Sequence, residues 1–285
     1  MSDLRGKIDF TLFVSVHNAN PNGDPLNGNR PRTDLDGYGI ISDVCVKRKI
    51  RNRLQDLGQC IFVQSDDRRD DSYTSLKDRA DGCKELKEEI GKKKKANQDL
   101  CARIACKEWI DVRTFGQVFA INKEVASFNT RGPVSIHQSK SLSPVDVISM
   151  QIVKSVNSVP GVESKSSDTM GTKHMIDFGV YKIVGSVNVQ LAEKTGFSQE
   201  DAELLKESLK TLFENDASAA RPDGSMEVCH LYWWQHQEKT PLATSGKIQR
   251  GFDIKKNESH SKSIKDYEIE WKLDNCVVPE VYDFV

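Results

Sequence analysis

The segment 17–39 contains no helix or strand pattern, although patterned sequence flanks it on both sides. It reads HNANPNGDPLNGNRPRTDLDGYG, with five Asn, four Gly and three Pro. A loop of this length inside a compact domain is uncommon and is usually functional or disordered. Before it, apolar and polar residues alternate over 8–16, which predicts a half-buried strand. The chain must therefore fold around a long polar connection, which is its first candidate for a binding loop.

A basic helix pattern follows this loop over 43–57. Ser42 can cap the helix, and Val46, Ile50 and Leu54 recur with the spacing of a packed face. The basic residues of the helix are Lys47, Arg48, Lys49, Arg51 and Arg53. A strand, an Asn/Gly-rich loop and a basic helix together predict a unit that holds a polyanion. The alternative is an amphipathic core helix whose basic residues are only solvated.

The composition excludes several classes of protein. The formal net charge is −1, so nucleic-acid binding has to rest on local charge. The seven Cys form no CxxC pair and no His clusters near them, so we expect reduced thiols, no metal site and no cofactor. The N-terminus is unlike a signal peptide, and no apolar run approaches the ~20 residues of a membrane helix. We therefore expect a soluble, cytoplasmic protein with no membrane partner.

Three less regular regions are predicted in the rest of the chain. The region 64–108 holds 12 Lys/Arg and 11 Asp/Glu, which indicates a charged helical insertion outside the core, with a solvated helix over about 75–90. The region 157–174 is rich in Gly and Ser, which predicts a mobile hairpin or loop. The region 239–265 holds seven Lys/Arg against two acids without periodicity, which predicts a basic loop.

The order of the remaining patterns predicts the fold class. Further strand patterns cover 61–63, about 145–155, 181–191, 226–234 and 267–273. A second helix begins at Ser198, where Asp201 completes a capping-box pattern. The order is close to the βαββαβ plan of ferredoxin-like and RNA-recognition domains, so we predict one α+β domain over 1–285. The aromatic run that stacks bases in such domains does not occur, so contacts to an RNA backbone should dominate.

Several motifs in a fixed order resemble one family of proteins. They are FTLFVSVHNANPNGDP at 10–25, NRPRTD at 29–34, GYGIISDVCVKRKIRN at 37–52, DVRTFG at 111–116, GPVSIHQSKS at 132–141, the run 173–205 and SAARPDG at 218–224. With these motifs the chain resembles the crRNA-binding backbone subunit of type I CRISPR surveillance complexes (Cascade), specifically of subtype I-C. This is the Cas-seven family of the RAMP superfamily. The similarity extends along nearly the whole chain.

The resemblance implies a protein that is not an enzyme. Members of the family have an RRM-like palm with inserted finger and thumb segments, which corresponds here to a finger at about 64–108 and a thumb at about 157–174. Copies polymerise as a helix along one crRNA and leave its bases free to pair with target DNA. The implied partners are crRNA, target DNA, further copies of the chain, the large, small and crRNA-processing subunits, and a recruited helicase-nuclease.

The residues and the resemblance together indicate RNA-binding candidates. They are polar or basic residues of the loop, the helix and the matching motifs, with one apolar residue in the thumb segment: Asn20, Asn22, Arg30, Arg32, Ser42, Lys47, Arg48, Arg51, Arg113, Gln138, Ser139, Lys140, Met170, Lys173 and Arg221. A free helix N-terminus, mobile cations and uncharged Asn donors suit phosphate and 2′-hydroxyl groups. Met170 has the character of an apolar wedge between bases.

Some candidates have structural alternatives. Arg113 either binds phosphate or pairs with Asp111, and Arg221 either contacts phosphate or caps a turn. Met170 is otherwise an exposed residue of a flexible loop. The tryptophans 233–234 are expected in the core, with at most one ring outward.

Two other functions remain open from the sequence. Related backbone subunits of type III complexes cut RNA with an Asp of the corresponding loop. This loop holds Asp24, Asp34 and Asp36, which could bind Mg²⁺, although Asp in such a loop more often shapes turns. The other alternative is a free-standing RNA-binding module that never polymerises.

Overall fold

The computed structural model describes residues 3–120, 127–153, 170–257, 261–274 and 276–285. The strands within these residues are β1 (Ile8–Ala19), β2 (Gly23–Asp24), β3 (Arg30–Pro31), β4 (Tyr38–Ile41), β5 (Gly116–Phe119), β6 (Phe128–Arg131), β7 (Val134–Ile136), β8 (Ser139–Pro144), β9 (Val147–Val153), β10 (Met170–Val187), β11 (Met226–Gln235), β12 (Phe252–Lys256), β13 (Tyr267–Trp271) and β14 (Glu280–Asp283). The helices are α1 (Asp43–Asp56), α2 (Leu76–Gly82), α3 (Lys84–Gly91), α4 (Gln98–Glu108), α5 (Ile110–Phe115), α6 (Val189–Thr195), α7 (Gln199–Lys210) and α8 (Ser245–Arg250). In the described part of the chain, no helix combines the length and the apolar character that crossing a membrane requires.

An eight-stranded antiparallel sheet forms the centre of the molecule. Its order is β14–β11–β1–β10–β8–β4, and β7 and β9 also pair with β10. Among β1, β8, β10 and β11, numbered one to four along the chain, the spatial order is therefore 4-1-3-2. Helix α1 follows the first of these strands and α7 follows the third. The mixed helix and strand content and the large antiparallel sheet confirm the α+β class.

The two long helices cover one face of the sheet. The apolar side chains of α1, Val46, Ile50 and Leu54, are buried in the same core as those of β1 and α7, as their spacing predicts. The capping box at the start of α7 is also confirmed. The Asp201 amide donates to Ser198 Oγ (3.2 Å), and the Ser198 amide donates back to the Asp201 carboxylate (3.0 Å).

The other face of the sheet is covered by the segment that contains α8, β12 and β13. Phe13 of β1 and Trp234 of β11 pack under this segment, whereas Trp233 points into the helix side, so both tryptophans are buried. The strand β1 is therefore buried on both faces, and the prediction of a half-buried strand is wrong. The basic loop predicted over 239–265 is also wrong for the described residues, since α8 and β12 lie there.

One lysine lies beneath this cover without a carboxylate partner among the described residues. Lys182 of β10 donates to the Gln249 carbonyl at the end of α8 (2.6 Å), and its ammonium lies over the Phe252 ring (4.4 Å). Burial lowers the pKa of Lys182 to about 8. The cover is therefore attached to the sheet by a polar contact as well as by apolar packing.

The charged region 64–108 contains α2, α3 and α4, which have an apolar core of their own. Leu86, Ile90 and Cys101 are buried there with Phe62 and Trp109. The prediction of a solvated helix over 75–90 is therefore incomplete, because two helices occupy this stretch and each has a buried face.

Three strand predictions need correction. Residues 61–63 form no strand, since 62 and 63 lie in a bend, although Ile61 is buried. The long strand predicted to include Val189 ends at Val187, because the side chain of Asn188 caps α6. Residues 170–174, predicted as part of a mobile loop, belong to β10 and pair with β9, and 157–169 lie outside the described residues.

Candidate nucleic-acid interface

The long polar segment folds into a small hairpin and two turns. Strand β1 extends to Ala19, and β2 pairs with β3 so that Asp24 lies opposite Arg30. The Asp24 carboxylate accepts the Leu26 amide (3.2 Å), and Asp34 accepts two amides of the next turn at 3.0 Å and 2.9 Å. The prediction of a segment without regular structure is therefore wrong. The predicted turn role of the loop Asp residues is confirmed for these two.

Helix α1 begins beside this hairpin. Ser42 is its N-cap, since Ser42 Oγ accepts the Cys45 amide (3.3 Å). The Ser42 amide donates to Asn22 Oδ1 (2.9 Å), which joins the helix start to the hairpin. In the first turn, Asp43 pairs with Lys47 (3.0 Å). The positive end of the helix dipole therefore faces the hairpin, and Asp43 partly compensates it.

The half-buried and exposed polar side chains around this helix start form a group that we call the rim. Its members are Asn22, Arg30, Arg32, Ser42, Gln138, Lys140 and Arg221. Three of its cations have carboxylate partners, in the pairs Arg32–Asp24 at 3.2 Å, Lys140–Asp34 at 2.6 Å and Arg221–Asp216 at 3.2 Å. The hydrogen bond from Lys140 lowers the pKa of the Asp34 carboxyl. The three cationic side chains remain 28–52% exposed, so a phosphate can reach them and replace weakly held carboxylates.

The pairing of β4 with β8 brings the motif 132–141 to the rim. Ile41 lies opposite Ser139 in antiparallel register, so Gln138 comes beside Ser42. Gln138 is exposed, as an RNA contact requires. Ser139 is fully buried and its hydroxyl donates to the Lys182 carbonyl (2.9 Å), so the prediction that Ser139 faces RNA is wrong.

Two other predicted cations of α1 are bonded inside the protein. Arg48 donates to the Val63 carbonyl (2.6 Å), and Arg51 donates to the buried Asp111 carboxylate (2.9 Å). The Arg51 side chain is only 13% exposed. The prediction of mobile cations is wrong for both residues, and so is the alternative of merely solvated ones. They attach α1 to the two segments that flank the charged region, at Val63 and at Asp111 of α5.

Arg113 also has a structural contact that neither sequence alternative included. Its guanidinium donates to both carboxylate oxygens of Asp201 (2.9 Å and 2.8 Å) and to the Cys106 carbonyl (3.2 Å). The predicted pair with Asp111 is wrong, because that carboxylate accepts from Arg51. Arg113 therefore links α5 to the start of α7.

The motif 218–224 reaches the rim through the backbone of the long polar segment. The Asn20 amide donates to the Ala220 carbonyl (2.8 Å), which brings Arg221 near the helix start. Asn20 itself is 3% exposed and its side chain donates to the Asn29 carbonyl (2.6 Å), so its predicted contact with RNA is wrong. The turn at Arg221 is closed by Ser218 Oγ, which accepts the Arg221 amide (3.2 Å), so the guanidinium does not cap it.

Strands β9 and β10 form an extended ribbon next to the hairpin. Met170 begins β10 and is 53% exposed in a strand, not in a flexible loop, and Lys173 lies half-buried further along it. Ser149 and His174 face each other across the ribbon, joined by a hydrogen bond of 2.8 Å, and Arg30 donates to the same Ser149 hydroxyl (3.0 Å). Ser149 and His174 were not among the predicted RNA-binding residues, because their contact arises only from the pairing of β9 with β10.

The thiols and acids of the described residues are dispersed. All seven Cys are free, and burial raises the pKa of Cys106 to about 11. Among the residues that the structure describes, no three His, Cys, Asp or Glu side chains come together as metal ligands do.

Comparison with known proteins agrees with the motifs. The family model for CRISPR-associated protein Cas7 matches residues 6–272. The CRISPR-associated protein Cas7 of Haloferax volcanii is 33% identical over 216 residues, which are 68% of this chain and only 60% of that protein's length. One chain from a CRISPR RNA-guided surveillance complex described as pre-nicking is 17% identical, with a TM-score of 0.49, and the match covers 80% of this chain and 77% of that chain. A second chain from a CRISPR RNA-guided surveillance complex is 16% identical, with a TM-score of 0.40, and the match covers 80% of this chain and 68% of that chain. The family model and the Haloferax relative together show that this chain belongs to the Cas7 family of CRISPR-associated proteins.

Proposed function

We propose that this chain is a non-catalytic, cytoplasmic subunit that binds the guide RNA of a CRISPR surveillance complex and forms its backbone. The observation that carries the proposal is the Cas7 family match over residues 6–272. The rim supports it, since basic side chains surround the start of the 14-residue helix α1 beside the loop that carries the family's first motif. Helix N-termini and Arg or Lys side chains are common contacts to phosphates.

One face of the sheet is covered, which favours binding to the sugar-phosphate backbone of the RNA over recognition of its bases. In ordinary RNA-recognition domains, bases stack on exposed aromatic residues of the central strands. Here the aromatic residues on that face, including Phe13, Tyr232 and Trp234, are buried under the segment that contains α8 and β12. A guide held at the rim by its sugar-phosphate chain keeps its bases free, so that sequence is read by pairing with target DNA.

The sheet order suggests how the proposed subunit is organised. The order 4-1-3-2 of β11, β1, β10 and β8 is compatible with a ferredoxin-like, RRM-like palm. We assign the finger to α2–α4 and the thumb to β9 together with the part of β10 that pairs with it, residues 170–176. In this proposal, copies polymerise as a helix along one guide in a type I-C complex, with the large, small and crRNA-processing subunits and a recruited helicase-nuclease as further partners.

Identification of the bound nucleic acid tests this proposal directly. Co-expression with a type I-C repeat–spacer array should yield a uniform, guide-length RNA on the purified protein. Light scattering should then give a mass of several copies per RNA, and nuclease treatment should release smaller species. One copy per RNA at saturation would contradict polymerisation and favour the free-standing module. RNA of random length and sequence would contradict guide binding.

The arrangement of the loop carboxylates favours binding over RNA cleavage. Asp24 and Asp34 accept backbone amides in their turns and also pair with Arg32 and Lys140. Incubating the assembled complex with complementary RNA and Mg²⁺ should therefore leave that RNA intact. Regularly spaced cuts that Asp34→Ala abolishes would overturn the non-catalytic proposal.

A further inference from the structure

Arg30 differs from the other rim cations because its partner carries no charge. Within the described part of the chain, Arg30 Nη1 donates to Ser149 Oγ (3.0 Å). Asp24 lies opposite Arg30 in the hairpin, but its carboxylate pairs with Arg32. Among the described residues, Arg30 therefore forms no ion pair, and its guanidinium has N–H groups that Ser149 does not use.

The contact between Ser149 and His174 leaves the second ring nitrogen of the histidine unused. Arg30 can only donate, so Ser149 Oγ accepts from it (3.0 Å), and the same hydroxyl shares a hydrogen bond with His174 Nδ1 (2.8 Å) whose direction depends on the ring tautomer. In either tautomer Ser149 does not use His174 Nε2, which is an N–H donor when the ring proton is on that nitrogen.

The face of the ribbon that lies beside Arg30 is polar at its near end. Directly paired residues of antiparallel strands share a face, so Ser149 and His174 lie on the same side as Gln151 and Thr172, and this face ends in the exposed apolar pair Met170 and Val153. The opposite side carries Lys173 and three apolar residues that are 38–51% exposed, namely Ile148, Met150 and Ile152. A polar ligand at the rim can therefore continue along the face of Ser149 and His174.

We infer that Arg30, Ser149 and His174 form a second contact to the guide RNA, in which Ser149 positions Arg30 and the His174 ring against the sugar-phosphate backbone. This rests on the proposed function and extends the interface from the rim onto the ribbon. Ser149 is a positioning residue, because its hydroxyl is already hydrogen-bonded to both Arg30 and His174. Arg30 supplies charge to a phosphate, and His174 Nε2–H can donate to a phosphate or 2′-hydroxyl oxygen.

Affinity for a single-stranded RNA tests this inference. The probe is fluorescein-labelled oligouridine, titrated with RNA-free protein and followed by anisotropy. Arg30→Ala should weaken binding about tenfold, since it removes a charged contact, and Ser149→Ala and His174→Ala should each weaken it about threefold. Because Ser149 and His174 act as one unit, the double variant should bind no more weakly than the weaker single variant.

Conservative variants distinguish a direct contact with RNA from an indirect effect on the fold. His174→Gln keeps an acceptor for Ser149 and an N–H donor, so it should retain most of the affinity, whereas His174→Phe should behave like His174→Ala. Ile152→Ala, on the opposite face of the ribbon, is the control and should bind like the unchanged protein. All variants should unfold at the same temperature within about 1 °C, because surface substitutions change stability little.

The outcomes distinguish this inference from the proposed function. If Ser149→Ala binds like the unchanged protein, or if the losses of Ser149→Ala and His174→Ala simply add, the second contact is wrong. The proposed function survives that result provided that the unchanged protein binds the RNA. If the unchanged protein does not bind oligouridine or co-purified guide RNA, the proposed function fails and this contact fails with it.

Discussion

The cations of the rim and those on the inner side of α1 have the same chemistry and opposite surroundings. Lys140 of the rim pairs with a carboxylate yet is 52% exposed, so its partner can be exchanged for another anion. Arg51 of α1 is 13% exposed and pairs with Asp111, which is fully buried. A basic run in a sequence therefore indicates charge, whereas the availability of each cation for a ligand depends on where the compensating carboxylates lie.

One carboxylate connects the two sets of cations. Asp216 accepts from the buried Lys49 of α1 and from Arg221 of the rim. Burial lowers the pKa of Lys49, although Asp216 opposes this shift. Arg221 is thus held in place by a residue whose first role is to compensate a buried charge. The cations on the inner side of α1 therefore stabilise the fold, and the fold holds the rim cations where a ligand can reach them.

Removing the carboxylate beneath α1 should have the largest effect on stability. Asp111→Ala removes the carboxylate that pairs with Arg51 and also frees the amides of Phe62 and Val63, which donate to the Asp111 carboxylate at 2.7 Å and 3.1 Å. Breaking a buried pair in this way costs about 3–5 kcal/mol of unfolding free energy. Urea unfolding measures the loss.

A surface pair provides the control for that substitution. Glu193→Ala breaks the exposed pair with Lys239 and should change the unfolding free energy by less than about 1 kcal/mol. If Asp111→Ala proves as stable as Glu193→Ala, the inner cations are not structural and the comparison fails. RNA affinity, measured per folded molecule, should be the same for both variants.

Removing two rim cations should have the opposite effect, with a large loss of RNA affinity and little loss of stability. The double variant Arg32→Ala with Arg221→Ala should weaken RNA binding at least about tenfold and reduce the slope of log affinity against log salt by about 1 to 2, because each phosphate contact releases counterions. Its unfolding free energy should change by only about 1 kcal/mol, since both ion pairs are partly exposed.

A charge-matched variant away from the rim controls for net charge. Lys239→Ala with Lys255→Ala removes the same charge from two exposed pairs, one of them on the β12–β13 hairpin. Its affinity and salt slope should match those of the unchanged protein. Equal losses in the two double variants would mean that RNA responds to net charge and not to the rim.

The parts of the fold that the sequence predicted well are those decided by local pattern. Helix α1 follows from the spacing of Val46, Ile50 and Leu54, and α7 follows from the capping box at Ser198. The burial of both faces of β1 could not be predicted in this way. The alternation of apolar and polar residues predicts that Asp9 points outward. Its carboxylate is instead buried and lies 3.0 Å from Nε2 of His236, which comes 227 residues later in the chain.

The segments that form the candidate site could be predicted from the sequence, but the contacts of the individual residues could not. The hairpin, the start of α1 and the motif 218–224 do meet, as their polar character suggested. Which cations remain available depended on partners distant in sequence. Arg113 finds its carboxylate 88 residues away, in α7, and Arg51 finds its partner 60 residues away, in α5. No local pattern specifies such pairs, which arise only when the sheet and the helices assemble.

The smallest predicted effect tests whether RNA reaches the start of α1 itself. Asp43 lies in the first turn and places a negative charge where a phosphate should come closest. Asp43→Asn should therefore raise RNA affinity by about two- to fivefold, at a loss of about 0.3–1 kcal/mol in unfolding free energy, because an acid at a helix N-terminus is mildly stabilising. Asp99→Asn makes the same change in the first turn of α4, away from the rim, and should lower stability similarly without changing affinity. If the two variants bind RNA alike, the phosphates are held by the rim cations alone and the helix dipole contributes nothing.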